Sequence, residues 1–349
     1  MNPQTLPKAP IATYTLLGLN IALFGLMVQQ GIHPMNPNPD ELIRWGANFG
    51  PITLTGQWWR LLSCMFLHAG VLHIACNGYA FYCLGPAVER SIGRPFFLIV
   101  YMASGTIGSL ASLWWHPMAV SVGASGALFG IFGAFISFVF IYRRWMPEQA
   151  LAALRKNVIV ILIINVALGL NVKSIDMAAH LGGFLGGAVS GAILCPPPKV
   201  LTKRTKPLRM GIVIIGTLLL CVGVMTTLSH AMVSLNTLME DYSQAEEHVE
   251  TASRLVDPNS LSTADYAARF EEHVLLPWQQ AKEQLDNTAI AKLPPSLQPL
   301  LDKLRQQIQS RDELLNTLHT YLREQDTQKR AAYKQQLENI RKQLDSISF

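Results

Sequence analysis

Two residues in this sequence have types and settings that suit acyl chemistry. Ser125 stands in Gly123-Ala124-Ser125-Gly126 where an apolar stretch begins, and His180 stands near the start of another apolar stretch. A serine hydroxyl attacks a carbonyl only when a base takes its proton, and imidazole has a pKa suited to that task. The oxyanion that forms then needs hydrogen-bond donors. His73 and Asn77 are spaced to share one helix face, with His68 just ahead of them. The Ser125 amide, at a helix start, lacks an intrahelical partner and adds the helix dipole. For His73 taken alone, a histidine satisfied by an interhelical hydrogen bond is the alternative. Asp176, one turn ahead of His180, either orients the imidazole as a third member or caps its helix, and the cap is preferred because Asp favours helix starts.

Such a pair works only if two elements hold it together. Gly126, Gly130 and Gly133 leave a bare stripe on the helix that follows Ser125, and Gly183 and Gly187 do the same after His180. Bare stripes let two helices approach closely in a membrane, and one stripe alone would be ordinary small-residue packing. Two of them, each led by a nucleophile or a base, point to helices brought together for chemistry. An ionisable side chain inside a span is also costly, which makes His180 a functional candidate by default.

The rest of the chain supplies the membrane. Of 349 residues, 50% are hydrophobic and 15% charged, and the net charge is +5. Before about Leu235 the only acids are Asp40, Glu41, Glu89, Glu148 and Asp176; after it charges are dense. Apolar runs lie at about 11 to 28, 64 to 86, 95 to 115, 125 to 142, 157 to 171, 176 to 195 and 210 to 234. A span takes about 20 helical residues, so these are seven candidates. No small-residue cleavage site follows the first, which is read as retained. The connection of about residues 29 to 57 ends in Trp58-Trp59-Arg60, a pattern that favours the interface, with rings at headgroup depth and a wet guanidinium. Taking alternate loops, one side holds nearly all the Lys and Arg of this half and the other only Arg44, Arg60 and Lys173. The positive-inside rule then puts the N-terminus in the cytoplasm and the tail outside. The five cysteines match no disulfide framework and no zinc spacing, and they are read as small packing residues.

These features give an all-α fold: a polytopic membrane helix bundle with a six-span core over 11–195 and a seventh span at 210–235. A short cytoplasmic N-terminus (1–10) precedes the core, and a basic linker (196–209) joins it to the last span. The tail, 236–349, reads as a helical, partly coiled-coil-like extramembrane domain without chemistry of its own. Leu301, Leu304, Ile308, Leu315, Leu318 and Leu322 keep a seven-residue rhythm broken only by Arg311. Tyr333, Leu337, Ile340, Leu344 and Ile347 continue it after a polar break near Asp326, as in an antiparallel hairpin. Asp257-Pro258 and Pro294-Pro295 mark helix breaks.

Gly123-Ala124-Ser125-Gly126, His180 with Gly183 and Gly187, the His68, His73 and Asn77 set, and Trp59-Arg60 together resemble a rhomboid intramembrane serine protease over about residues 10 to 195. The resemblance implies a Ser125 nucleophile, a His180 base in a dyad without an acid, and an oxyanion hole of His73, Asn77 and the Ser125 amide. It implies a structural role for Glu89, in Gly85-Pro86-Ala87-Val88-Glu89-Arg90. It also implies cleavage of single-pass membrane proteins in or beside their spans, with no cofactor, metal or nucleic acid, in a bacterial inner membrane. Two features depart from the pattern. Phe129 replaces a tyrosine common in the family, keeping the ring and losing the hydroxyl; the seventh span and the tail, which could mediate self-association, are additions. The other reading is a non-catalytic relative that binds membrane clients and passes them on. Such relatives have usually lost the serine or the histidine, and both are present here.

Overall fold

The computed structural model describes residues 9–149, 175–197, 205–255, 263–287 and 297–346, with Leu293 and Pro295. The expected span at 157 to 171, the break at Asp257-Pro258 and the heptad residue Ile347 lie outside these residues. The chain divides into two compact units, Met1–Ser229 and His230–Phe349.

In the first unit, α1 (Ile11–Gln29) is apolar along its length and begins without a side-chain cap of its own. Its cap comes from Glu89, which accepts from Ala12 N at 3.1 Å, Thr13 N at 2.7 Å and Thr13 Oγ1 at 2.8 Å. A carboxylate set against unpaired amides at the positive end of a helix dipole is a favourable placement. The loop that follows carries three short helices, α2 (Pro39–Trp45), α3 (Gly50–Thr53) and α4 (Arg60–Ser63). Asn38 and Glu41 form a reciprocal capping box at the start of α2.

The expected second span does not begin at 64. α5 runs Val71–Ile92, behind Gly70 at φ 114°. The apolar stretch ahead of it is folded into the loop, where Leu61, Cys64, Met65 and Leu67 are buried. Hydropathy does not distinguish burial in protein from burial in lipid. Arg60 corrects the interface reading in the same way. Its guanidinium is buried and donates to the Ile43 and Ala47 carbonyls and to Gln57 Oε1, while Trp58 and Trp59 stay exposed. Two backbone carbonyls and one side-chain amide within the loop offer what headgroup water would otherwise supply.

Three helices follow: α6 (Arg94–Trp115), α7 (Ser125–Tyr142) and α8 (Met177–Leu194). α6 is the most buried of the candidate spans, and its Phe97, Val100 and Tyr101 pack with Ile131 of α7 and Leu194 of α8 in one core. α9 (Thr205–Leu255) continues without a break far past the apolar run that ends near 234. Six described helices are long and apolar enough to cross a membrane. The protein is an integral, multi-pass, all-α membrane protein. Its cysteines are free, with Cys64 and Cys195 buried as expected of packing residues and Cys76 and Cys83 exposed on α5.

The second unit continues with α10 (Thr263–Phe270), a π-helical turn (Glu271–Leu275), α11 (Leu276–Asn287), α12 (Gln298–Arg323) and α13 (Thr327–Ser346). Pro277 has no N–H for the His273 carbonyl, and the widened turn accommodates that gap. Leu301, Leu304, Ile308 and Leu315 are buried, and α13 folds back beside α12 after a short turn. Arg311, the polar residue in the rhythm, pairs through both sides of its guanidinium with Glu246.

Candidate active site

α7 starts at Ser125 because the chain turns sharply ahead of it. Gly123 adopts φ 122°, a conformation that side-chain-bearing residues rarely take, and its amide donates to the Cys64 carbonyl at 2.9 Å. A methyl group there would lie 2.6 Å from His73 Nε2 and 3.5 Å from Asn77 Nδ2. Both α5 side chains therefore face the turn that presents Ser125. His73 Nδ1 accepts from the Ala69 amide at 3.4 Å, which puts the proton of a neutral ring on Nε2. Asn77 Nδ2 is buried and has no partner. Two side-chain donors, with the unpaired amides of the first turn of α7, converge on one small volume.

His68 supports this wall from behind. It is fully buried and meets the His73 ring edge-on at 5.2 Å. Burial, and then the neighbouring His73, push its pKa down to about 3, so it is neutral.

His180 reaches the same region from α8. Its ring stacks on Phe129 with centroids 4.2 Å apart and planes at 21°. Phe129 lies one turn beyond Ser125 on α7, so the stack fixes the imidazole against the helix that carries the serine. No hydrogen bond joins Ser125 Oγ to His180 among the described residues. Such contacts are often loose before substrate binds. Asp176 is the N-cap of α8, and its Oδ1 accepts from Ala179 N at 2.9 Å.

The glycines hold α7 and α8 backbone against backbone. A methyl group on Gly183 would overlap the Gly126 carbonyl oxygen, and one on Gly187 would overlap that of Gly130. Gly130 would meet Ser104 Oγ, which brings in a third helix that sequence reasoning passed over. α6 presents Ser104, Gly105, Gly108, Ser109 and Ser112, and a methyl on Gly108 would lie 2.7 Å from the Ala179 carbonyl. Small residues recurring at helical spacing in the third apolar run were the signal available. Asn48 was missed as well. It exchanges backbone bonds with Ser121 and sends its buried side chain to the Ser109 carbonyl and to Thr53 Oγ1.

The arrangement can be set beside known proteins. A family model described as Rhomboid domain matches residues 55–197. Rhomboid protease GluP of Bacillus subtilis (strain 168) is 39% identical over 188 residues, which cover 54% of this chain and 36% of that one. Rhomboid protease AarA of Providencia stuartii is 30% identical over 210 residues, covering 54% of this chain and 74% of that one. YdcA of Bacillus subtilis is 38% identical over 143 residues, covering 41% and 69%. The chain belongs to the rhomboid family. The rhomboid match takes in α5 to α8 and with them Ser125, His180, His73, Asn77 and the glycines that pack their helices, while Asn48, Thr53, α1, most of the first loop, α9 and the tail lie outside it. This rhomboid spans only about a third of the length of GluP.

Proposed function

We propose that this rhomboid is an intramembrane serine endopeptidase that cuts single-pass membrane proteins within or beside their spans. Ser125 is the nucleophile and His180 the general base. Ser125 Oγ adds to the scissile carbonyl as its proton passes to the imidazole. The oxyanion is received by His73 Nε2, Asn77 Nδ2 and the Ser125 amide. Collapse of the tetrahedral intermediate breaks the C–N bond, and the imidazolium gives its proton to the leaving amine. Water, deprotonated by His180, then hydrolyses the acyl-enzyme and frees Ser125. The substrate helix unwinds locally, because a carbonyl in an intact helix is shielded.

The observation that carries this reading is Asn77 Nδ2, a buried donor without a partner that faces the turn at Ser125. An unsatisfied buried donor costs about 1–3 kcal/mol, and a site for a transient oxyanion accounts for it. A client-binding relative without catalysis would have no use for that cost. The charge bias supports a cytoplasmic N-terminus and an outer tail, and in this reading the membrane is a bacterial inner membrane with the dyad reached from its outer face.

Labelling by a fluorophosphonate probe tests the chemistry directly. Wild type is expected to label and to cleave a single-pass reporter in liposomes, while Ser125→Ala and His180→Ala do neither and remain folded. Full cleavage by Ser125→Ala would remove the nucleophile assignment.

A further inference from the structure

The chain ahead of Ser125 and the chain ahead of His180 are joined by a side-chain hydrogen bond. Ser121 Oγ donates to Asp176 Oδ2 at 2.8 Å, while Asp176 Oδ1 holds the Ala179 amide. Ser121 precedes the serine by the same interval at which Asp176 precedes the histidine. We propose that Ser121 and Asp176 are positioning residues that set the separation of Ser125 and His180. One oxygen of the carboxylate caps the histidine helix and the other holds the strand of chain that leads into the serine. This inference rests on the dyad reading above.

Four observations support it. Among the described residues, the Ser121 to Asp176 bond is the sole hydrogen bond between 116–124 and 175–197. The glycine contacts fix α7 against α8 from Gly126 and Ala179 onward; they do not involve Ser121 or Asp176, which lie ahead of the two helices. Ser121 is also an anchored partner. Its amide and carbonyl bond to Asn48 at 2.9 and 3.0 Å, and Asn48 is fully buried and tied to α6. Finally, both carboxylate oxygens are already engaged, and His180 Nδ1 is buried without a partner. Asp176 therefore acts on the imidazole through its place in the helix, not as a third member of a relay.

Placement matters at this scale. A misplacement of about 1 Å in a reacting group can cost about 100-fold in rate. A smaller displacement on loss of the tether corresponds to a smaller loss of rate.

The test uses the full chain in liposomes with a single-pass reporter and the fluorophosphonate probe. Ser121→Ala, which leaves the helix cap intact, is expected to lower kcat and the labelling rate together by about tenfold, with KM within about twofold of wild type. Its thermal midpoint should stay near that of wild type, and Ser121→Thr should restore the rate. Asp176→Asn, which keeps an acceptor for Ala179 and a partner for Ser121, should recover most of the rate lost in Asp176→Ala. The Ser121→Ala and Asp176→Ala effects on kcat should be non-additive when combined. Wild-type kcat and labelling in Ser121→Ala would overturn the proposal. So would an Asp176→Asn protein as slow as Asp176→Ala with a shifted pH profile, since that would make the carboxylate charge the active property. Ser125→Ala serves as the control: if it still labels and cleaves, the dyad reading has failed, whatever the Ser121 variants do.

Discussion

Gly123 concentrates more of the site than its size suggests. It takes a backbone conformation closed to most residues, and it leaves free the space into which His73 and Asn77 project. Gly123→Ala should therefore lower kcat by about 100-fold or more while α7 still forms, as measured by reporter cleavage beside circular dichroism. His68 offers a second check. Because its folded pKa is depressed to about 3, the unfolded chain binds a proton between roughly pH 6.5 and that value and the folded chain does not. Its contribution to stability is present above about pH 6.5 and is lost as the pH falls toward about 3. Unfolding midpoints in detergent across that window should drop with pH, and His68→Phe should flatten the slope. Ser125, His180, His73 and Asn77 stood out as candidates because the proposed nucleophile, base and donors each need a particular residue type. Asn48 and Ser121 were not, since their partners lie far along the chain and neither carries a reactive group.

At the scale of elements, period and polarity carried most of the reading. The glycines of α7 and α8 announced a close crossing because a 3.6-residue repeat puts them on one face. The start of α5 was misplaced because the apolar residues before it are buried by the loop itself. The continuity of α9 past its apolar run was also hidden, since charged residues change what surrounds a helix without ending it. That helix reaches into the core at its beginning. Arg209 Nη1 donates to the Ile193 carbonyl at 2.7 Å, in the last turn of the histidine helix. A cation at a helix C-terminus meets unpaired carbonyls and the negative end of the dipole. Arg209→Met should lower the stability of the core by about 1 kcal/mol in a detergent unfolding titration. An unchanged midpoint would show that α9 adds nothing at that end.

The whole molecule consists of a membrane unit that holds the candidate chemistry and a helical unit with its own core. Within the latter, Glu246 receives both the Arg311 guanidinium and the Tyr242 hydroxyl, a half-buried polar cluster. Arg311→Leu should destabilise the tail by about 1–3 kcal/mol, read as easier proteolysis after residue 236. Cleavage of a generic reporter should be unaffected, and truncation from Asn236 should give the same result. A truncated protein that folds and cuts nothing would make the tail part of the active unit.

One consequence belongs to α5. It carries Leu72, Tyr79 and Tyr82 exposed on one face, and on another it holds the two donors against Gly123. The same helix is at once exposed on one side and part of the candidate site on the other. If a client entered by pushing this helix aside, the displacement would draw His73 and Asn77 away from the turn they serve. A gate of that kind would disarm the proposed dyad for as long as it stood ajar, so each guest would have to be enclosed again before any bond was broken, and slow turnover would be the natural result.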